Sequence, residues 1–423
     1  MNITEKIIAR ASERNTVSPG DVVFANVDKL MIHDVSGPGV IKVFEEWAKR
    51  GIELEKVWNP DKVWISEDHF VPSADRISAE NITKLTEWAK KFEIKKHFKY
   101  GLGQYGICHT LSHEEALVLP GEFYVGGDSH TNTTGALGAL AVGLGHTDIA
   151  YAMMHGRIWL KVPETMLFRL IGNKPSHIMA KDIILKIISD IGTDGANYKA
   201  MEFAGDAVRE MSMEERLTLT NMTTEAGAKN GIIEPDAVTD KYIRQRSANP
   251  YKPIVGDDSP YLEEYTYEIE KLEPIVAKPF SPQNGAAARE LQGVEVNKAY
   301  IGSCTGAKLE DLRSAAQILK GKKVKIRTEV LPAAQSIYIK AMKEGLIDIF
   351  MEAGAVVGPP TCGACCGAHM GILAKDEICV STTNRNFPGR MGHIESQTYL
   401  ASPLVVAASA LKGKITDPRD VIK

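Results

Sequence analysis

Apolar runs of strand length alternate with amphipathic stretches along the whole chain, which predicts an α/β protein built on mainly parallel sheets. Length agrees: 423 residues at roughly 150 per domain suggest about three domains. A composition of 44% hydrophobic and 25% charged residues excludes a disordered, collagen-like or disulfide-scaffold chain. For 46.3 kDa, size scaling gives about 16,000 Å² of folded surface against roughly 67,000 Å² unfolded, enough to bury a large core.

In chain order, VWNPDKVWIS (57–66) is rich in β-branched and aromatic residues and reads as a strand. AENITKLTEWAKKFE (79–93) repeats Ile82, Leu85, Trp88 and Phe92 at helical spacing. EFYVGG (122–127) and TMLFRLIG (165–172) are short apolar runs ending in glycine and read as buried strands. DIILKIISDI (182–191) gathers Ile183, Ile184, Ile187 and Ile188 on one helical face. NKAYIGS (297–303) reads as a strand, LEDLRSAAQILK (309–320) as a helix, and the alternating KVKIRTEVL (323–331) as another strand. The polar run from about 234 to 268 reads as irregular surface structure. Breaks near 163–173 and in the proline-rich 271–283 divide the chain into α/β domains at 1–166, 167–275 and 276–423. No fixed-period repeat or low-complexity segment is present.

Fifty basic against 54 acidic residues give a formal charge of -4. The basic excess that sequence-independent phosphate binding needs is missing, so no nucleic-acid partner is expected. The opening MNITEKIIARASERN lacks the apolar core of a secretory signal, and a cytoplasmic location is expected. Residues 353–374, AGAVVGPPTCGACCGAHMGILA, contain no Asp, Glu, Lys or Arg over a length that could cross a bilayer. Adjacent Pro359 and Pro360 and five glycines argue against a helix there, so no membrane span is expected.

The cysteines are the most informative residues. Cys362 and Cys365 lie in CGAC, and Cys304 follows a strand in GSCT. Residue types alone leave three readings: buried free thiols, a zinc site of Cys304, Cys362, Cys365 and Cys366, or an iron-sulfur cluster. Cys365 and Cys366 are neighbours whose side chains diverge, so three ligands is the natural count. A four-iron cluster held by three cysteines leaves one iron free to act as a Lewis acid. Cys379, in ICVSTT, reads as core; Cys108 is undecided.

Three polar clusters follow predicted strands: Glu67-Asp68-His69, Asp128-Ser129-His130 and Cys304-Thr305. Carboxyl ends of strands line the ligand crevice of open α/β sheets, which places the three in one cleft. Carboxylates beside His69 and His130, and His109 after a glycine-rich loop, suit general acid and base work. Asn384-Arg385-Asn386-Phe387-Pro388-Gly389-Arg390 places two forked guanidinium groups about a turn, which suits a di- or tricarboxylate substrate. Three patterns are set aside. GLGQYG (101–106) lacks a good buried strand before it and an amphipathic helix opening directly after it. His109 and His113 lack the HExxH order, and the glycines from 135 to 145 lack a following GK[ST].

Together with Asn221 and Glu225 in NMTTEAGA, the motifs GICH, GGDSHT, GSCT, CGAC and STTNRNFPGR resemble, end to end, the 3-isopropylmalate dehydratase and homoaconitase large-subunit group of the aconitase superfamily. The resemblance implies three α/β domains around a cluster-binding cleft, without the swivelling domain of single-chain aconitases. It implies a 4Fe-4S cluster on Cys304, Cys362 and Cys365 with one iron free of protein ligands. The implied reaction is stereospecific dehydration of a β-hydroxy acid and rehydration at the neighbouring carbon. By the same resemblance His69, oriented by Asp68, is the proton donor to the departing hydroxyl. Asp128 with His109, and His130 with Glu225, are supporting catalytic pairs. Asn221 and Asn384 neighbour the cluster, and Ser129, Arg385 and Arg390 bind substrate. A small subunit carrying the swivelling domain and a serine base is implied as partner, in a heterodimer or heterotetramer.

Two positions depart from the family pattern. GSCTNGR appears as GSCTGAK, ending in Lys308, and DSHTCT appears as DSHTNT, with Asn132. The expected substrates are 2- and 3-isopropylmalate, in leucine biosynthesis, with homoaconitase and methylmalate-type dehydratases as neighbouring readings. A non-catalytic iron-sulfur sensor is the reading of a different class; it would not need the histidines or the arginine pair.

Overall fold

The computed structural model describes residues 1–257 and 259–422. Three main sheets follow one another along the chain. The first is a five-stranded, wholly parallel sheet in the order Lys96–Phe98, Val63–Ser66, Lys29–His33, Phe123–Gly126, Leu140–Gly143. The second has four parallel strands in the order Asn230–Ile233, Ala200–Ala204, Thr165–Ile171, Glu263–Glu268. The third has seven strands from 275–400 and is parallel except where Gly285–Ala287, Ile275–Ala277 and Gln397–Leu400 pair antiparallel. An antiparallel ribbon, Val22–Asn26 with Arg157–Lys161, joins the chain's first domain. The α/β architecture is as the alternation of patterns predicts. The exposed surface of 16,508 Å² is close to the scaling value for this mass.

Each sheet has its own apolar core. In the second, the helix Ala180–Ile191 turns Ile183, Ile184, Ile187 and Ile188, all fully buried, towards the sheet. At about 1.5–3 kcal/mol per fully buried aliphatic side chain, this face fixes the helix in place. In the first turn, beside this face, Lys181, also buried, reaches the residues that follow the strand Ile378–Ser381 of the third sheet.

Several elements differ from the sequence reading. Only Val63–Ser66 of 57–66 is a strand, because Asn59 accepts the Asp61 N–H at 3.1 Å and starts a short 3-10 turn at Pro60–Lys62. The 323–331 run forms a strand only over Arg327–Val330. The 234–268 segment is more regular than expected: it holds the helix Ala237–Arg244, capped by Asp236, and the edge strand Glu263–Glu268. That strand is mostly exposed and charged, so its pattern carries no buried face. The glycine-rich 135–145 stretch packs tightly: a Cβ on Gly135 would lie 1.7 Å from the Gly231 carbonyl oxygen. Among the described residues no helix is long and apolar enough to cross a membrane.

Candidate functional site

Polar residues leave the carboxyl ends of strands from two sheets and meet in one cleft. From the first sheet, Val63–Ser66 delivers Asp68 and His69, and Phe123–Gly126 delivers Asp128, Ser129 and His130. From the third, Lys298–Ile301 delivers Cys304, and Ile378–Ser381 delivers Asn384 and Arg385. Three imidazole–carboxylate pairs form at 2.9 Å each: His69 Nδ1 with Asp68, His109 Nε2 with Asp128, and His130 Nε2 with Glu225. Asp128 ties them together, since its other oxygen lies 3.8 Å from His69 Nε2. Arg385, after the strand Ile378–Ser381 of the third sheet, donates to Glu225 at 3.0 Å and to Ser129 Oγ at 2.9 Å.

The charge states differ among the histidines. Burial alone would lower the His69 value, but the charge and hydrogen bond of Asp68 override it and hold the imidazolium well above its ordinary range. At His109 burial prevails over Asp128 and the value falls, so the ring stands neutral near pH 7. The Asp128 carboxyl, despite burial, is held well below the usual carboxylate range by His109 and His130. Glu225 is lowered likewise, against its burial, by Arg385 and His130.

Two residues of this constellation lie outside the sequence reading. His33 and Asp34 follow the strand Lys29–His33 as the other clusters follow theirs, so the same rule applied to KLMIHD would have found them. The buried Asp34 carboxylate accepts the backbone N–H groups of Asp68 (3.1 Å), His69 (3.0 Å) and Phe70 (2.7 Å). The His33 ring stacks on His69 with centroids 4.1 Å apart and planes 11° apart. Asp68 itself accepts the Cys108 N–H at 2.6 Å, at the start of the helix Cys108–Glu114. A carboxylate at a helix N-terminus is favoured by the orphan donors and the dipole there. This helix opens two residues after GLGQYG but is short and buried from Cys108 to His113 rather than amphipathic, and its N-terminus is occupied by the protein's own Asp68.

The cysteines converge on the same cleft. Ser303, a non-glycine residue at φ 77°, places its hydroxyl between Cys304 Sγ at 3.7 Å and Cys365 Sγ at 3.5 Å. Asn384 also touches both, with Nδ2 3.6 Å from Cys304 and Oδ1 3.3 Å from Cys365. Asn221 donates to Cys304 Sγ at 3.1 Å and is itself bonded to Asn384. Cys362 hydrogen-bonds to Cys365, and with the nearby Arg390 guanidinium this pushes the Cys365 thiol well below its ordinary range. Among the described residues the buried Arg390 Nε has no hydrogen-bond partner. The loop is also bound to the histidine segment: Cys362 N–H and Thr361 Oγ both donate to Asp68 O at 2.8 Å, and His369 Nε2 donates to His69 O at 3.1 Å.

A single zinc ion with Zn–S near 2.3 Å needs its sulfurs about 3.8 Å apart. Among the described residues Cys304 belongs to no ligand set within 4.8 Å, so the four-cysteine zinc site is not formed. Cys366 gathers with Cys362 and His69, and Cys362 hydrogen-bonds to Cys366 as well as to Cys365. A cube of irons, in which each sulfur serves a different metal, suits a set in which Cys362 and Cys365 lie together and Cys304 stands outside any single-ion group. Side-chain donors aimed at the sulfurs are the usual means of tuning such a group. Cys379 is fully buried in its strand, as is Cys108 at the helix start.

The two departures from the family pattern point into the fold. Lys308 Nζ, fully buried, donates to Thr218 Oγ (2.8 Å), Thr305 O (3.1 Å) and Asp311 (2.8 Å). Asn132 donates to Thr223 Oγ and Ala228 O, both at 3.2 Å.

The profile of the aconitase family (aconitate hydratase) matches residues 5–291 and 284–413. A protein of Aquifex aeolicus named 3-isopropylmalate dehydratase large subunit is 48% identical over 431 residues, covering 100% of this chain and 98% of its own. One from Pyrococcus furiosus, named 3-isopropylmalate dehydratase large subunit 1, is 48% identical and covers 100% and 99%. The holo-form crystal structure of Thermococcus kodakaraensis aconitase X superimposes with a TM-score of 0.51 at 14% identity, covering 88% of this chain and 89% of that one.

Proposed function

The chain belongs to the aconitase family, and from that premise we propose that it is the large, catalytic subunit of a 4Fe-4S hydro-lyase. Its reaction is the interconversion of 2- and 3-isopropylmalate by dehydration and rehydration, a step of leucine biosynthesis. The observation that carries this reading is the meeting of Cys304 and Cys365 at one hydroxyl and one carboxamide, with Cys362 beside them and three imidazole–carboxylate pairs in the same cleft.

Cys304, Cys362 and Cys365 would hold the cluster. When bound, it supplies Lewis acidity towards the substrate hydroxyl at an iron that has no protein ligand. His69 is the proton donor to the departing hydroxyl. Asp68 takes its Nδ1–H at 2.9 Å, fixing the tautomer and leaving Nε2 for transfer. Its raised value keeps a proton available at neutral pH. The Asp128–His109 and His130–Glu225 pairs support His69 in the same cleft, with Asp128 and Glu225 held ionised. Arg385, Arg390 and Ser129 bind the substrate carboxylates; Glu225 and Ser129 orient the Arg385 fork before substrate arrives.

The carboxylates Asp68, Asp128 and Glu225 are each held ionised by a cationic or donating partner, which makes them weak bases. The family resemblance assigns the base that removes the carbon-bound proton to a serine on the swivelling domain of a small subunit, in a heterodimer or heterotetramer. The test is coexpression with the cognate small subunit, anaerobic reconstitution, and assay against isopropylmalate, homocitrate, citrate and methylmalates. The highest kcat/KM is expected with the isopropylmalates. Preference for another acid would overturn the substrate, and full turnover by the large subunit alone would overturn the divided site.

A further inference from the structure

Lys181 is a fully buried lysine whose ammonium meets only uncharged oxygens: Thr383 O at 2.6 Å, Thr382 O at 3.1 Å and Thr305 Oγ at 3.4 Å. Among the described residues no carboxylate lies within 4.0 Å of it, whereas the other buried lysine nearby, Lys308, is paired with Asp311 at 2.8 Å. A buried charge without a counter-charge is costly. The ionisable groups that act on Lys181 are the sulfurs of Cys365 and Cys304, the Lys308 ammonium and the Asp311 carboxylate, and Asp311 is already paired with Lys308. Its three acceptors lie on the two segments that flank those sulfurs: Thr305 follows Cys304, and Thr382 and Thr383 precede Asn384.

We propose that Lys181 is a positioning residue for the cluster: a built-in counter-cation to the thiolates that also clamps the Cys304 turn to the Asn384 strand end. The inference rests on the cluster reading above. A 4Fe-4S core in its oxidised state is formally anionic once three thiolates bind it, so Lys181 faces more negative charge in the loaded protein than in the cluster-free one. Loss of the charge therefore weakens the loaded form while sparing the cluster-free one, a difference that a purely structural clamp does not produce.

The test compares wild type with Lys181→Met and Lys181→Arg, anaerobically reconstituted with the small subunit present. Three quantities are read: denaturant midpoint of the cluster-free chain, half-life of the cluster under chelator, and its reduction potential by titration followed with EPR. For Lys181→Met we expect an unchanged or higher cluster-free midpoint, at least tenfold faster cluster loss, and a shift of potential to more negative values. Lys181→Arg should keep the potential within error of wild type. A Lys181→Met protein that retains its cluster and potential overturns the proposal. So does one whose cluster-free form unfolds earlier than wild type or fails to fold, since the lysine is then a structural clamp. If the wild-type chain takes up no iron and sulfide, the cluster reading itself fails and takes this inference with it; wild-type loading with an unaffected variant removes this inference alone.

Discussion

Replacing Asp34 by alanine would strip the acceptor from three backbone N–H groups at once, those of Asp68, His69 and Phe70. A buried donor left unpaired costs about 1–3 kcal/mol. Three such donors in one segment sum to roughly 3–9 kcal/mol, and neighbouring losses are not additive. With partial relaxation and water entry, we expect Asp34→Ala to lower stability by about 3–5 kcal/mol. Asp34→Asn is the graded control. Burial and the nearby Asp68 charge push the Asp34 carboxyl above its ordinary range, so a neutral carboxamide is a close substitute. Asn can keep the two bonds at Oδ1 and sets an NH2 against the Phe70 N–H alone, a loss of about 1–3 kcal/mol. A shift of about 1 Å in His69 is expected to cost roughly 100-fold in kcat. The assays are urea unfolding of the cluster-free chain and steady-state kinetics of the reconstituted complex at equal iron content. A loss below about 1 kcal/mol in Asp34→Ala, with kcat within threefold of wild type, would refute the claim that Asp34 holds the proton donor in place.

Serine at Cys304, Cys362 or Cys365 should abolish cluster loading, whereas Cys366→Ser should retain most of it. Iron and sulfide analysis decides this, and equal loss at Cys366 would favour the His69, Cys362 and Cys366 grouping as the metal site. Arg385→Lys removes the fork that spans Glu225 and Ser129, and kcat/KM should fall about 10- to 100-fold, from loss of charge-assisted bonds worth about 1.5–3 kcal/mol. An unchanged kcat/KM would take Arg385 out of substrate binding. Glu202 is buried, accepts from Tyr261 at 2.8 Å, and burial pushes its carboxyl from 4.5 up to about 7. The folded state then binds the proton more tightly than the unfolded one, so this group costs stability as pH rises from about 4.5 to 7, by up to about 3 kcal/mol. Glu202→Gln should match wild type near pH 4.5 and unfold at higher urea at pH 8. A gap that does not widen with pH would contradict the assignment.

What was legible in the sequence was local. Asp68-His69, Asp128-Ser129-His130, Cys304 and the CGAC pair each sit within a few residues of a recognisable strand end or glycine turn, so type and spacing suffice to mark them. Pairing across the cleft is not local: Glu225 meets His130 over 95 residues and Arg385 over 160. The His130–Glu225 pair came from resemblance to a family and the Arg385–Glu225 contact from the structure alone, because no periodicity encodes either. Lys181 escaped because the helix Ala180–Ile191 reads as an ordinary amphipathic element, and the oxygens that hold its ammonium lie 124 to 202 residues away. The helix Cys108–Glu114 escaped for a related reason. Its N-terminus is satisfied by Asp68, forty residues upstream, and Ile107 at the cap position gives no local signal. The strand Glu263–Glu268 escaped because an exposed edge strand needs no apolar alternation.

The central claim is a four-iron cluster gripped by three thiolates, with one iron left for substrate. Mössbauer spectra of the anaerobically reconstituted, 57Fe-labelled complex, taken with and without isopropylmalate, address it most directly. We expect one iron of the four to change its spectrum when substrate is added and the other three to stay as they were. Four irons indifferent to substrate, or a single zinc in place of iron, would contradict it.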